Sequence, residues 1–340
     1  MNTEERKHFW DVLLSLDGIN IQKDYAALKP CIKWPQHLYR FRSVTTSSLD
    51  GLRMNRLYFS SADKYDDPFD SFLFINWDEV ISGIGSAVQN SQDKVKAFDM
   101  IQTLTGVPAD QLSLFFDSHS VQEWQQYGKN AVGSFRDFMQ KNELSICFSE
   151  AGEGNGLNEV LWLKYANNHS GFAMEYDLAD SAAFICGSKE KCVPCPAAKQ
   201  HYPLYPMYYS NEKYDATDYA KAEMVAYLFS ARFPQNAKDL ITTFLPNMVW
   251  QRERIALIKH ECHKYDLEWR MIYPNAFTLG NDGQRPFIVW RPSSVTLGMR
   301  IKQADENLVM ALAQEAGIPR IYKCYIDNQN ALDRKLIWEV

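Results

Sequence analysis

The sequence lacks the features that mark membrane-spanning, secreted and nucleic-acid-coating proteins. No apolar run approaches the ~20 residues that a membrane-spanning helix needs, and the opening MNTEERKHFW lacks the charged-then-apolar layout of a signal peptide. Basic residues are not in excess, because 36 Lys and Arg stand against 42 Asp and Glu, which gives a net charge of −6. This balance argues against strong general affinity for nucleic acids. We therefore expect a soluble, cytoplasmic protein that does not enter a membrane.

Several catalytic signatures are missing as well. The sequence contains no G-x-x-x-x-G-K-[ST] phosphate loop, no G-x-G-x-x-G motif after a strand and no G-x-S-x-G nucleophile elbow. Each of these motifs places glycines where the backbone must turn tightly or approach a phosphate or a nucleophile. Their absence argues against ATP-driven chemistry and against serine hydrolase chemistry.

Cysteines are few and mostly scattered. Seven of them, an odd number without a secretory signal, are typical of reduced thiols in the cytosol. One local group has the four soft donors that a structural zinc site uses, although it contains a single C-x-x-C pair: Cys186, Cys192, Cys195 and His201. We interpret this group as a loop with free thiols and expect no metal, while zinc binding there stays open.

The composition and the order of patterns predict the fold class. The 340 residues are 46% apolar and 23% charged, as in folded globular proteins. Short strand patterns recur along the whole chain with helical blocks between them, which predicts an α+β fold. We expect an N-terminal helical segment over residues 1–30. It is followed by one α+β domain over 31–340 with helical insertions at about 78–142 and 216–260.

Five motifs occur in an order that resembles a bacterial family. They are Leu38-Tyr-Arg-Phe-Arg42, Leu57-Tyr-Phe-Ser-Ser61 leading into Asp66-Asp-Pro-Phe-Asp70, Cys147-Phe-Ser149, Trp162-x-x-Tyr165-Ala-x-x-His169-x-Gly-Phe172, and Glu268-Trp-Arg270 followed by Val295-Thr-Leu-Gly298. The ordered set resembles the domain-of-unknown-function family numbered 2971 over roughly residues 36–326. Two positions differ from that family, which usually has Asn in place of Asp66 and often His in place of Lys164.

The resemblance implies a fold and an activity. The layout of that family is similar to the layout of ADP-ribosyltransferases, which implies a split, mixed or antiparallel sheet with two helical insertions. In those enzymes an early strand supplies Arg or His, a second strand supplies Ser, Thr or Tyr, and a late strand supplies Glu. The corresponding catalytic candidates here are Arg40, Ser60 or Ser61, and Glu268. NAD is then the implied co-substrate, a macromolecule the acceptor, and toxin or phage-defence conflict the setting, with an inhibitory or immunity partner.

The chemistry of NAD cleavage explains why these residue types are candidates. Breaking the bond between nicotinamide and ribose develops positive charge on the ribose, which a carboxylate such as Glu268 stabilises. The planar fork of Arg40 suits a pyrophosphate. We therefore expect these side chains and Ser60 or Ser61 to converge in one cleft. Further candidates for cofactor binding are Arg42, Tyr58, Trp162, Tyr165, His169 and Arg270, of which Trp162, Tyr165 and His169 have the spacing of one helix face.

Three other interpretations stay open, and whether the protein is an enzyme stays open with them. First, the charged residues form a purely structural network, with Arg40 or Arg42 paired to Asp67 or Asp70, and Glu268 paired to Arg270. Second, the protein is a nuclease or nucleotide-processing enzyme whose carboxylates hold a divalent metal: Asp66, Asp67, Asp70 and Glu268. Third, it is a non-catalytic recognition module whose aromatic cleft binds a ligand or a partner protein.

Overall fold

A computed structural model describes residues 1–71, 74–80, 106–118, 120–151, 157–181, 203–220, 250–273 and 285–340, with a few positions between 92 and 103. The described residues form helices and a mixed parallel and antiparallel sheet, which confirms the α+β class. No helix in these ranges is both long and apolar enough to cross a membrane. The division of the chain at residue 30 stays a prediction.

Eight α-helices have both ends within the described ranges: α1 (Thr3–Ser15), α2 (Ile21–Leu28), α3 (Thr46–Arg53), α4 (Ala109–Asp117), α5 (Val121–Asn142), α6 (Glu159–Lys164), α7 (Gln251–Ala256) and α8 (Gln303–Glu315). Helix α1 begins at a capping box in which Asn2 and Glu5 exchange hydrogen bonds. It buries Phe9 and Leu13 in the main core. The predicted N-terminal helices are therefore present, and they pack on the sheet.

Helices occupy described parts of both predicted insertions, while the division of the chain into a domain and two insertions stays a prediction. Helices α4 and α5 lie in the first block, and α5 follows Ser120, whose backbone and hydroxyl bond to the carboxylate of Glu123 as the capping box predicts. In the second block the prediction of helix up to residue 260 is wrong. Helix α7 ends at Ala256, and residues 258–260 form a strand instead. That strand pairs with residues 208–210, so a long-range pairing overrides the local helical pattern.

Thirteen strands are described: β1 (His37–Arg42), β2 (Arg56–Tyr58), β3 (Ser60–Ser61), β4 (Leu144–Glu150), β5 (Phe172–Asp177), β6 (Leu204–Pro206), β7 (Tyr208–Ser210), β8 (Ile258–His260), β9 (Glu268–Ile272), β10 (Phe287–Val289), β11 (Ser294–Leu297), β12 (Arg320–Ile326) and β13 (Leu332–Glu339). Nine of these form one sheet in the order β13-β12-β11-β5-β1-β4-β9-β6, with β3 paired to β4 beside it. Strands β11 and β12 are parallel, and the neighbouring pairs around them are antiparallel.

The centre of this sheet is where the functional candidates meet. Strand β1 pairs with β5 over all six of its residues, from His37 to Arg42. Its pairing with β4, on the other side, is limited to Leu38 and Tyr39. Strand β4 in turn pairs with β9 over five residues. The two central strands β1 and β4 are therefore paired at one end only, and the pairing between them stops after Tyr39.

Candidate functional site

A cavity of about 230 Å³ lies against this incompletely paired part of the sheet. Strand β1 contributes residues 39–42, β3 contributes Ser60, β4 contributes residues from 145 to 149, and β9 contributes Glu268 and Arg270. The segment after β3 and helix α6 complete the described lining with Lys64, Tyr65, Asp66, Asp67, Asp70, Leu161, Lys164 and Tyr165, together with Lys259 and Asp266. The cavity is therefore built where five strands, including β8 with Lys259, converge with helix α6 and two connecting segments, and its lining is rich in charge.

Arg270 is held on several sides by acceptors of the protein. Its Nε donates to Glu268 Oε1 at 2.7 Å, and its Nη2 donates to Asp70 Oδ2 at 2.5 Å. Its Nη1 donates to Ser71 Oγ at 3.0 Å and to the backbone oxygen of Ala256 at 2.7 Å. The side chain is 1% exposed. A buried guanidinium needs such partners, because an unpaired buried charge is costly.

Lys259 forms the second half of this network. Its Nζ lies 2.9 Å from Asp266 Oδ2, 2.8 Å from Glu268 Oε2 and 3.6 Å from Asp70 Oδ2. Burial opposes ionisation of Glu268, but Arg270 and Lys259 outweigh it and hold the pKa of that carboxyl well below its ordinary value. Burial raises the pKa of Asp266, although Lys259 acts in the opposite direction. Both carboxyl oxygens of Glu268 are thus committed to cations of the protein.

Arg40 and Arg42 behave differently. Arg40 is 8% exposed, and its Nε has no hydrogen-bond partner. Its guanidinium lies 5.6 Å from the ring centroid of Phe148, while Arg42 donates to the neighbouring backbone oxygen of Phe41. Burial, with the charge of Arg42, lowers the pKa of Arg40 to about 9. Across the described ranges no carboxylate forms an ion pair with either guanidinium. The charge of Asp66 acts on Arg42, whereas no carboxylate is found to act on Arg40, so it is the charge of Arg40 that is uncompensated.

Strand register explains how Arg40 and Glu268 approach the cavity. Tyr39 is opposite Ser149, and Ser149 is opposite Glu268, so these three residues lie in one row on one face of the sheet. Successive residues of a strand place their side chains on opposite faces of the sheet. Arg40 follows Tyr39 and therefore lies on the face opposite to Tyr39, Ser149 and Glu268. It still lines the cavity, at the point where pairing between β1 and β4 stops.

Hydroxyl and thiol groups fill the space between the charges. Tyr65 is hydrogen-bonded to Ser145 through its hydroxyl, and its ring packs 5.1 Å from the guanidinium of Arg270. Burial, followed by the charge of Glu268, raises the pKa of the Cys147 thiol to about 11. The thiol is therefore protonated at neutral pH, which argues against Cys147 as a thiolate nucleophile.

The structure brings most of the predicted site residues together. The cavity is lined by Arg40, Arg42, Ser60, Tyr165, Glu268 and Arg270. Four candidates lie elsewhere: Ser61 is buried in the pairing with Leu144, Tyr58 packs on Phe287, and Trp162 and His169 stack on each other beside Phe41. Arg40, Ser60 and Glu268 thus line the same cavity, but the strand register starts Arg40 and Glu268 on opposite faces of the sheet, which counts against the expected catalytic arrangement.

The predicted helix face that carries Trp162, Tyr165 and His169 is wrong. Helix α6 ends at Lys164, and Asn167, Asn168 and His169 have positive φ angles between 47° and 65°. The Asn pair accounts for the turn, since Asn adopts the left-handed conformation more readily than most residues. His169 is buried with its Nδ1 unpartnered, yet it is not among the described residues that line the cavity.

Sequence patterns did not single out Lys259, Asp266 or Tyr65. Lys259 falls in a segment with a helical pattern. It reaches its partners only because that segment pairs with β7 and forms strand β8. Asp266 ends a turn that is closed by Leu267 at a φ of 43°. These positions carry no local signal of a site, because their partners lie far away in the chain.

The metal-dependent alternative needs free carboxylates, and most of those it invoked are engaged. Asp70 and Glu268 bond to Arg270, while Asp67 Oδ2 lies 3.2 Å from His263 Nε2. Within the described ranges no group of three or more His, Cys, Asp and Glu side chains is arranged to hold a metal ion. The proposed zinc donors Cys186, Cys192, Cys195 and His201 lie outside the described residues.

Comparisons with known proteins return no match. No protein-family model, no curated protein and no solved structure matches the chain. The resemblance to family 2971 and the similarity to ADP-ribosyltransferases therefore stay predictions. What the chain does has to be argued from its cavity.

Proposed function

We propose that the cavity binds an anionic ligand that carries phosphate, and that NAD is the first candidate. The observation that carries this proposal is Arg40, a side chain that is 8% exposed, lines the cavity and has no carboxylate partner among the described residues. Keeping an unpaired guanidinium buried is unfavourable without a ligand. A bound anion would remove that cost.

The chemistry of the pair favours phosphate. Arg42 lines the same cavity and lowers the pKa of Arg40, after burial, which indicates that the two charges are near each other. Two neighbouring guanidinium groups present several fixed N–H donors to one anion, and a phosphate or pyrophosphate offers matching oxygens and more than one negative charge. A neutral ligand would leave the charge of Arg40 uncompensated.

The test is calorimetric titration of the full chain with NAD, ADP-ribose and pyrophosphate. We expect saturable binding that weakens as salt is raised, and an Arg40→Met variant that binds at least about tenfold more weakly. Arg53→Met is the matched control, since Arg53 is exposed and pairs with Glu315 at the surface. The proposal is wrong if none of the three compounds binds, or if folded Arg40→Met binds as tightly as the wild type.

NAD turnover is a second proposal on the same cavity, with transfer of ADP-ribose to a macromolecule as its fuller form. It is favoured by the presence of Ser60 and Glu268 beside Arg40. Two observations weigh against it: Arg270 and Lys259 offset the charge of Glu268, and Arg40 starts from the opposite face of the sheet. For this reason we place ligand binding first, and NAD bound without cleavage would indicate a recognition module.

Turnover is measured by release of nicotinamide from NAD, with and without a cell lysate as a source of acceptor. Glu268→Asp keeps a carboxylate on a shorter side chain. If the protein cleaves NAD, this variant should release nicotinamide much more slowly than the wild type while still binding NAD. Ser60→Ala should act in the same direction, and Asp63→Asn, in the exposed turn after Ser61, should have no effect. Nicotinamide release no faster than in buffer would reject this second proposal and leave the binding proposal intact.

A further inference from the structure

We infer that the cavity recognises the phosphate and the sugar of its ligand and leaves a nucleobase outside, so that a pentose phosphate is sufficient for tight binding. This inference rests on the anion binding proposed above. It adds the chemical class of the group that the cavity encloses. Three independent features of the described lining carry it: the size of the cavity, the partners of its rings and its unpaired polar groups.

Size sets the first limit. The cavity measures about 230 Å³, whereas sites that bury most of a drug-sized ligand measure about 300–1,000 Å³. That volume is below the range for sites that enclose a ligand as large as a dinucleotide. A single phosphorylated five-carbon sugar is a better match, because its phosphate can reach Arg40 while the rest of a larger ligand extends outwards.

The aromatic lining is already engaged by groups of the protein. The Tyr165 ring lies 4.8 Å from Lys164 Nζ, and the Tyr65 ring lies 5.1 Å from the guanidinium of Arg270. The guanidinium of Arg40 lies 5.6 Å from the ring centroid of Phe148, and Phe41 packs edge-to-face against Trp162. A base that stacked on the covered faces of Tyr165, Tyr65 or Phe148 would have to displace a cation of the protein. Stacking is therefore a weak source of affinity here, despite the number of rings.

Two polar side chains of the lining remain for sugar hydroxyls. Ser60 and Asp66 both line the cavity, and the charge of Asp66 acts on Arg42. No hydrogen bond or ion pair within the described ranges uses either side chain. A carboxylate accepts hydrogen bonds from hydroxyl groups, and a serine hydroxyl both donates and accepts. A pentose supplies several hydroxyls, whereas inorganic phosphate supplies no carbon skeleton to reach these two side chains.

The experiment is calorimetric titration of the full chain with inorganic phosphate, ribose 5-phosphate, AMP and adenosine. We expect AMP to bind less than about tenfold more tightly than ribose 5-phosphate, and phosphate to bind at least about tenfold more weakly, since tenfold corresponds to about 1.4 kcal/mol. Adenosine should not bind. Ser60→Ala should weaken ribose 5-phosphate several-fold and leave phosphate unchanged. Asp66→Asn removes a negative charge that acts on Arg42, so it should favour phosphate, while the weaker acceptor of the amide should lower the affinity for ribose 5-phosphate relative to phosphate. Asp63→Asn, an exposed neighbour outside the described lining, is the control.

The outcomes separate this inference from the proposal beneath it. AMP binding tenfold or more above ribose 5-phosphate would mean that the base is recognised, and phosphate binding as tightly as ribose 5-phosphate would mean that the sugar is not. Either result overturns the inference and leaves anion binding at Arg40 standing. If none of the phosphate compounds binds, both fail. Equal effects of Asp66→Asn on phosphate and on ribose 5-phosphate would also overturn the sugar contact.

Discussion

Arg40 and Arg270 line the same cavity, but Arg270 bonds to two carboxylates while Arg40 has none among the described residues. The structural interpretation of the charged residues is therefore correct for one arginine and does not account for the other. Arg270 holds the cavity wall together. Arg40 is buried without a carboxylate partner among the described residues, which is the property expected of a side chain that binds an anion.

This difference predicts opposite effects on stability. Replacing Arg40 by Met removes an unpaired buried charge and keeps an unbranched side chain, so the ligand-free protein should melt higher, by about 2 °C or more. Arg270→Met should melt far lower, because Asp70 and Glu268 would lose their partner. Differential scanning fluorimetry without ligand measures both. A lower melting temperature for Arg40→Met would mean that Arg40 supports the fold.

Lys259 should be essential to the stability of the cavity. Its side chain is 4% exposed and contacts Asp266 and Glu268 within 3 Å, and breaking such a buried pair costs about 3–5 kcal/mol. Urea unfolding of Lys259→Met should show a loss of that order. Lys264→Met, an exposed neighbour paired loosely with Glu261, should change stability by less than about 0.5 kcal/mol. Similar unfolding curves for the two variants would contradict the network.

Glu143 should make stability depend on pH. Burial raises its pKa from 4.5 to about 7, although Arg252 pulls in the opposite direction. Between these values the folded state binds more protons at this carboxyl than the unfolded state, so stability falls as pH rises from about 4.5 to about 7. The unfolding free energy of the wild type minus that of Glu143→Gln should therefore decrease between pH 5 and pH 8. A constant difference would contradict the raised pKa, and Glu315→Gln at the surface is the control.

Gly171 should not tolerate a larger residue, because the backbone of strand β1, which carries Arg40 and Arg42, passes close to it. A Cβ at this position would lie 2.1 Å from the backbone oxygen of Arg42, closer than atoms can approach. Gly171→Ala should therefore destabilise the protein strongly and disturb ligand binding. Gly133→Ala, in helix α5 with no atom within 4 Å of the new Cβ, should instead stabilise by about 0.5–1 kcal/mol. Circular dichroism melts of both variants check the contrast.

Local patterns predicted the elements well where apolar periodicity and capping residues agree. Helix α1, the capping box at Ser120 and the strand at His37–Arg42 are present as expected. The prediction was wrong where a distant segment decides the conformation, as in β8, which follows its pairing with β7. It was also wrong for the end of helix α6, where Asn167 and Asn168 turn the chain.

The sequence by itself determined the α+β class, the main strands and the residue types that meet at the centre of the sheet. It could not determine which charges are paired, because a pair such as Lys259 and Glu268 depends on where β8, β9 and their connecting turn are placed. Nor could it show that β1 and β4 pair only at Leu38 and Tyr39. Whether two charges pair, and where two strands separate, depends on distances between residues that are far apart in the chain. The tertiary structure alone therefore distinguishes Arg270, which bonds to two carboxylates, from Arg40, which has no carboxylate partner among the described residues.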